Sequence, residues 1–320
     1  MSGNRTRGAT PDAATGGADL PFTLGYGTNG LADHRLPEAL DVVAALGYGG
    51  VGLTLDHHHL DPFGDDLTRR TLAVRRALEV RGLRAVVETG GRYVLDPFRK
   101  HEPTLVGADG RSRRIELLRR AVRVAAGLGA PVVSFWSGVR PVGTTADVAT
   151  DRLLRSLETL LPEAAAAGVV LSLEPEPGHH VATIGDALAV VDALGRPSAL
   201  GLTVDVGHAV CNEPQDPAET LRLAGDLLAN VQLDDMRPGV HEHLPFGEGD
   251  VDLADVLRTL VALGYTGMAA VELPRHSHAG PETARRSRAA LDRALTDPAA
   301  GSRSVVDVRS GTGRLSEALR

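Results

Sequence analysis

Val169-Val-Leu-Ser-Leu-Glu174 and Leu200-Gly-Leu-Thr-Val-Asp205 are two short apolar runs, each ending in a carboxylate. The segment between them, Thr183 to Leu194, has the period of a helix. Runs this short and apolar read as strands buried on both faces, and a helix joining two of them makes a parallel sheet with a helical crossover. The same order continues on both sides. Upstream, Phe22–Gly25 opens the pattern, and a helix from Leu36 to Leu46 follows with Pro37 in its first turn. Gly50–Leu55 is the next strand, ending in Asp56-His-His-His59; Asp65 or Asp66 then caps a helix to about Arg81. Ala85–Val87 leads into Glu88-Thr-Gly-Gly91, and Pro131–Gly138 is the fourth strand, between helices Arg113–Leu128 and Ala146–Ala167. Downstream come helix Pro217–Leu228, strand Val231–Leu233, helix Val251–Leu263, strand Met268–Val271 and helix Pro281–Leu295.

Eight such units predict an α/β fold closed into a single-domain (β/α)8 barrel over residues 20–297. An open doubly wound sheet would carry a G-x-G-x-x-G turn after its first strand, and Gly25-Tyr-Gly-Thr-Asn-Gly30 lacks that spacing. Residues 1–19 are rich in Gly, Ala and Thr without an apolar signal-peptide core, and are expected to form a disordered leader; residues 298–320 read as a flexible tail. The connection Arg92 to Asp109 is unusually long and basic, as lids and binding loops often are.

Composition bounds the function. Hydrophobic content of 42% and charged content of 23% are those of a soluble globular protein. No apolar run is long enough for a transmembrane helix, and a single cysteine, Cys211, suits a reducing cytoplasm. A net charge of −7 with 3% aromatic residues argues against nucleic acid as the partner. A membrane partner is not expected either.

In a barrel of this kind, polar residues at the carboxyl ends of the strands converge on one face. Those ends carry Glu174, Asp205 with His208, Gln232 with Asp235, and Glu272. After the seventh strand, Asp234, Asp235, Arg237, His241, Glu242 and His243 crowd into one loop that closes on Gly247-Glu-Gly249. His-x-His places two imidazoles on one side of an extended segment. Carboxylates and imidazoles gathered this densely repel one another unless a cation accepts their lone pairs. Mixed oxygen and nitrogen donors without cysteine point to Mn, Mg, Co, Zn or Fe rather than a closed structural zinc site. Glu176, two residues after Glu174, is a competitor for its role, but Pro175 and Pro177 suggest that the loop has begun there. Trp136 ends the fourth strand as a candidate pocket wall. His57 to His59 read as a partly exposed loop, with one member facing the site as the alternative, and His179 and His180 read as a solvated loop.

The order Glu after strand five, Asp-x-x-His after strand six, polar-Leu-x-Asp after strand seven, His-x-His before Gly-x-Gly, and Glu after strand eight resembles the xylose isomerase-like TIM barrel superfamily of sugar phosphate isomerases and epimerases. The resemblance spans about Phe22 to Leu295. It implies that Glu174, Asp205 and Glu272 bind one divalent metal cation, with Gln232 standing where the family has a histidine ligand and His241 completing the site. It further implies that Glu174 and Glu272 are the catalytic pair, one removing and one returning a proton beside a carbonyl. His208, Arg237, His243, Lys100 and Trp136 are then the candidate substrate contacts, and the substrate is a small sugar, keto-sugar or cyclitol. Related barrels are often dimers or tetramers, which implies a homo-oligomer. Two other outcomes belong to the same superfamily: dehydration of a keto-cyclitol, and phosphodiester cleavage by a multinuclear site. The nuclease group has a histidine after strand three, where this sequence has Glu88 and Thr89. A barrel that binds a sugar without turning it over is a further alternative.

Overall fold

The computed structural model describes residues 20–296, so both expected terminal segments lie outside the described residues. The chain alternates strand and helix: β1 (Thr23–Gly27), α1 (Leu36–Ala45), β2 (Gly50–Thr54), α2 (Leu67–Val80), β3 (Arg84–Glu88), α3 (Arg111–Leu128), β4 (Val132–Trp136), α4 (Ala146–Ala166), β5 (Val170–Glu174), α5 (Ile184–Ala193) and β6 (Leu200–Asp205). It continues with α6 (Val206–Asn212), α7 (Pro217–Ala224), β7 (Leu228–Leu233), β8 (Asp235–Arg237), β9 (Val240–Leu244), α8 (Leu253–Ala262), β10 (Met268–Val271) and α9 (Gly280–Thr296). Eight strands close in the order β1-β10-β7-β6-β5-β4-β3-β2, all parallel. This is the expected (β/α)8 barrel. Among the described residues no helix is long and apolar enough to cross a membrane.

The continuous apolar strands follow from that closure. Helices cover the outer face and side chains fill the inner one, so β2, β4 and β6 are buried along their whole length. Each fully buried Leu or Val contributes roughly 1.5–3 kcal/mol relative to exposure. The interior is not wholly apolar. Ser134 Oγ and Thr203 Oγ1 lie 2.9 Å apart, and Thr203 donates to Ser172 Oγ at 2.8 Å, so three strands share a buried hydroxyl chain below the cavity. Register sets the neighbours above it: Trp136 beside Glu174, and Asp205 beside Gln232.

Three local readings change. Asp66 does not cap α2: its backbone is left-handed (φ 51°), and its carboxylate meets Arg69 at 3.3 Å instead. The helix expected to run to Leu228 stops at Ala224, because Gly225 breaks it and Leu228 already begins β7. The loop after the seventh strand contains an antiparallel hairpin, β8–β9, pairing Asp235 with Leu244 and Arg237 with Val240.

Candidate active site and metal centre

Strand ends and hairpin surround one cavity of about 390 Å³ on the carboxyl face of the barrel. Glu174, Gln232, Glu272, His208, His241, His243, Lys100 and Trp136 all line it. Arg237 does not. It is exposed, and its guanidinium donates to the Glu248 carbonyl oxygen at 2.9 and 3.2 Å, which ties the hairpin to the following loop. Its expected role as a substrate contact is therefore corrected to a structural one.

Asp205 shows how the local fold sets the site. It ends β6 and caps α6, accepting from the His208 backbone N–H at 2.9 Å through Oδ1. Its other oxygen, Oδ2, is buried without a hydrogen-bond partner and lies 3.9 Å from His208 Nε2 and 4.0 Å from His243 Nδ1. Glu174 sits 3.4 Å from His208 Nδ1, while Ser134 donates to it at 3.5 Å. Glu272, half-buried after β10, accepts from Asn29 Nδ2 at 2.8 Å. His208 Nδ1 is 3.2 Å from the Pro175 carbonyl oxygen, and its Nε2 is 3.1 Å from His241 Nε2.

The hairpin brings in the remaining imidazoles. Asp235 is fully inside the fold and accepts from the backbone N–H groups of Gly247, Gly249 and Val251 at 2.8–2.9 Å. Any side chain at Gly249 would run into Asp235 and the Met236 carbonyl. Thus Gly-x-Gly and Asp235 together fold the loop back and hold β9 over the cavity. His241 then stands 3.6 Å from Glu176, and His243 Nδ1 stands 2.5 Å from Asp234 Oδ2. Both Glu174 and Glu176 face the cavity, so the two proline residues between and after them do not turn Glu176 away.

Charge in the site is unbalanced. Burial pushes the Glu174 carboxyl well above its usual range, helped by Glu176 and Glu272. Burial likewise raises Glu176 to about 7 and Glu272 to about 8, and lifts Asp234, where the Asp205 charge adds to it. Asp205 is the exception: burial opposes its ionisation, but His208 and His243 outweigh that and hold it below the usual range. Burial lowers His208 and His241 to about 4, opposed by the charge of Asp205, and a neutral ring keeps a lone pair to donate. Ligand atoms of Glu174, Asp205 and His208, of Asp205, His243 and Glu272, and of the three histidines fall into groups within 4.8 Å. Asp205 Oδ2, Gln232 Oε1 and Asp234 Oδ1 are buried without partners. Crowded carboxylates, neutral imidazoles and orphaned oxygens fit a divalent cation.

The other wall carries contacts that the sequence does not advertise. Asn29 and Thr54, after β1 and at the end of β2, line the cavity and leave Asn29 Oδ1 and Thr54 Oγ1 unpartnered. Glu88, at the end of β3, accepts from Asn230 at 3.1 Å, and burial lifts it to about 7. His57 and His58 line the mouth, whereas buried His59 turns away to the His34 carbonyl at 3.2 Å. His179 is not solvated as expected: its ring packs edge-on to Trp136 at 5.1 Å, with Arg114 over the indole at 4.5 Å. The long basic connection does roof the cavity, contributing Arg92, Lys100 and His101 beside Arg275.

A parallel eight-stranded barrel with its polar groups gathered at the carboxyl ends is the architecture of α/β-barrel enzymes. Residues 40–294 match the Xylose isomerase-like TIM barrel family, and the chain belongs to it. It is 27% identical over 254 residues to the L-ribulose-5-phosphate 3-epimerase UlaE of Escherichia coli K12, covering 76% of this chain and 86% of that protein. Among solved structures it resembles D-allulose 3-epimerase from Methylomonas sp. in complex with D-allulose (19% identity, TM-score 0.68, 85% of this chain and 96% of that one). It also resembles 3-keto-D-glucoside 4-epimerase from E. coli (18% identity, TM-score 0.69, 85% and 99%).

Proposed function

We propose that this chain, an enzyme of the sugar isomerase and epimerase class, inverts the carbon next to the carbonyl of a keto-sugar or keto-cyclitol with the help of a divalent cation. The observation that carries this reading is the pair Glu174 and Glu272, three strands apart in the ring and facing one cavity. The named substrates of the relatives have one chemistry in common: the inverted carbon lies beside a ketone, C3 of a 2-ketose or C4 of a 3-keto-glucoside.

Glu174, Asp205 and Glu272, with Gln232 and an imidazole, would hold the cation. When bound it supplies positive charge for the oxygen that becomes anionic as the carbon loses its proton. One of the two glutamates removes the proton from one face of the substrate, leaving an enediolate, and the other, protonated, returns a proton to the opposite face. Exchange with water then resets both. Asn29 holds one oxygen of Glu272 and leaves the other for this work. Trp136, stacked under Arg114, offers a flat wall for the sugar's C–H face, and Lys100 with Arg92 and Arg275 gives the mouth its positive charge.

The test is incubation with a panel of 2-keto and 3-keto sugars, phosphorylated and free, and keto-cyclitols in D2O with added Mn²⁺. Inversion with one deuterium at the inverted carbon is expected by NMR. Loss of water to an absorbing enone would instead make the enzyme a dehydratase. Inversion without deuterium wash-in would sink the two-glutamate mechanism.

A further inference from the structure

The connection that roofs the cavity changes character partway along. Pro97 to Lys100 are exposed, whereas Pro103 to Val106 are buried. At the change the His101 N–H donates to the Arg92 carbonyl oxygen at 2.6 Å, so the exposed part is a loop closed at its neck. His101 itself has a left-handed backbone (φ 64°), which a residue other than glycine keeps only where its neighbours hold it. Arg114, near the start of α3, holds that neck. Its Nε donates to the Pro103 carbonyl oxygen at 2.9 Å and its Nη2 to the His101 carbonyl oxygen at 2.5 Å. The same guanidinium lies 4.5 Å over the Trp136 ring, and the His101 imidazole lies 5.0 Å from that ring.

Resting on the reading that the cavity takes a sugar, we infer that Arg114 is a positioning residue for substrate binding. It does not line the cavity. It pins the neck of the roof to the Trp136 wall, and so fixes where Lys100 and His101, which do line it, stand over the substrate.

Arg114 is the only arginine or lysine buried among the described residues, at 3% exposure. Its hydrogen bonds go to two main-chain carbonyls rather than to a carboxylate, so no ion pair within them offsets the cost of burying its charge. A guanidinium can hold two acceptors in its plane while its face stacks on an indole, which a lysine cannot do. Arg120, further along the same helix, supplies the contrast. It lies 4.6 Å over the Phe63 ring and donates to the Pro62 carbonyl oxygen at 3.1 Å. It is only half-buried, and neither Phe63 nor Pro62 lines the cavity.

The chain carries its own reporters: Lys100 is its only lysine and Trp136 its only tryptophan. A lysine-specific endoproteinase therefore cuts the untagged full chain at one bond, in the roof, and tryptophan emission reads the wall. Arg114→Met should raise the rate of that cut by about 10-fold, because cleavage follows the population of the opened roof, and should shift the emission to the red. Arg114→Lys keeps the charge but not the planar fork, and should also raise the cut, which keeps the test open if Arg114→Met fails to fold. Arg120→Met should leave the emission in place and the cut within about 2-fold of wild type. On the substrate found in the panel, Arg114→Met should raise KM about 10-fold and lower kcat less than about 3-fold, a split that a general loss of stability does not produce. A wild-type cut rate and emission in both Arg114 variants, or equal changes in Arg120→Met, overturns the assignment. Turnover of no sugar removes the reading of the cavity, while the cut and the emission still decide whether Arg114 pins the roof.

Discussion

The floor of the cavity and its mouth are built on opposite principles. At the floor, Glu174, Asp205 and Gln232 are at most 5% exposed and sit on strands. Their charge is negative and crowded. At the mouth, Arg92, Lys100 and Arg275 are exposed, carried by connections without regular structure, and positive. Arg92 reaches across to the Pro274 carbonyl at 3.3 Å, so the roofing connection rests on the loop after β10. Rigid elements place reacting groups to within fractions of an ångström, whereas long cations on loops select and retain a ligand by charge. On the proposed function, kcat is expected to be decided at the floor and KM at the mouth.

That division can be broken most sharply at Glu174. Glu174→Gln keeps the shape and removes the base, and should lower kcat by about 10³-fold, or roughly 4 kcal/mol of barrier. Steady-state kinetics on the substrate found in the panel measure it. A loss below tenfold would remove Glu174 from the chemistry.

A second effect is visible without substrate. Unfolded, the Glu88 carboxyl ionises near 4.5; folded, burial lifts it to about 7. Its contribution to stability is whole below pH 4.5 and is lost as pH rises through about 7, by on the order of 3 kcal/mol. Glu88→Gln keeps an acceptor for Asn230 and removes that loss. In EDTA, urea unfolding should find the variant more stable than wild type at about pH 8, with the gap closing toward pH 4.5. A gap independent of pH would show that Glu88 is not strained in the fold.

The smallest effect is expected at the mouth. Lys100→Ala should raise KM by about 3- to 10-fold with kcat unchanged, and added salt should shrink the difference. An equal fall in kcat would mean that the floor and mouth do not divide the work in this way.

The barrel could be read from the sequence because its strands are uninterrupted apolar runs closed by breakers, and that pattern survives without knowledge of tertiary contacts. The carboxylates at the ends of β5, β6 and β10 stood out for the same reason. The hairpin was hidden, since Val240-His-Glu-His-Leu244 is short and mostly polar and pairs only with the three residues of β8. A cation in a functional loop gives no sign that a carbonyl eleven residues later will occupy it, as the Glu248 carbonyl oxygen does Arg237. Asn29 and Thr54 carry no signal at all: each acts through a partner or a cavity supplied from elsewhere in the ring. His179 sits beside a glycine and prolines, a solvated context by sequence, but its ring is half-buried and packs on Trp136. One signal was available and unused. Asp234 and Asp235 are adjacent on an extended segment, so they must face opposite ways, one toward the imidazoles and one toward the glycines.

Asp235, the first residue of β8, ties the base of the hairpin to three backbone groups in the segment that leads into α8. The histidines are thereby mounted on the barrel wall, and the exposed tip at Pro238 and Gly239 is fastened separately, the Gly239 N–H donating to the Cys211 carbonyl oxygen of α6 at 2.9 Å. Neither tip residue lines the cavity, so lengthening the tip would leave both the cavity and the imidazoles in place. A lineage could therefore reshape the outer surface there by insertion and deletion, while the chemistry inside stays untouched.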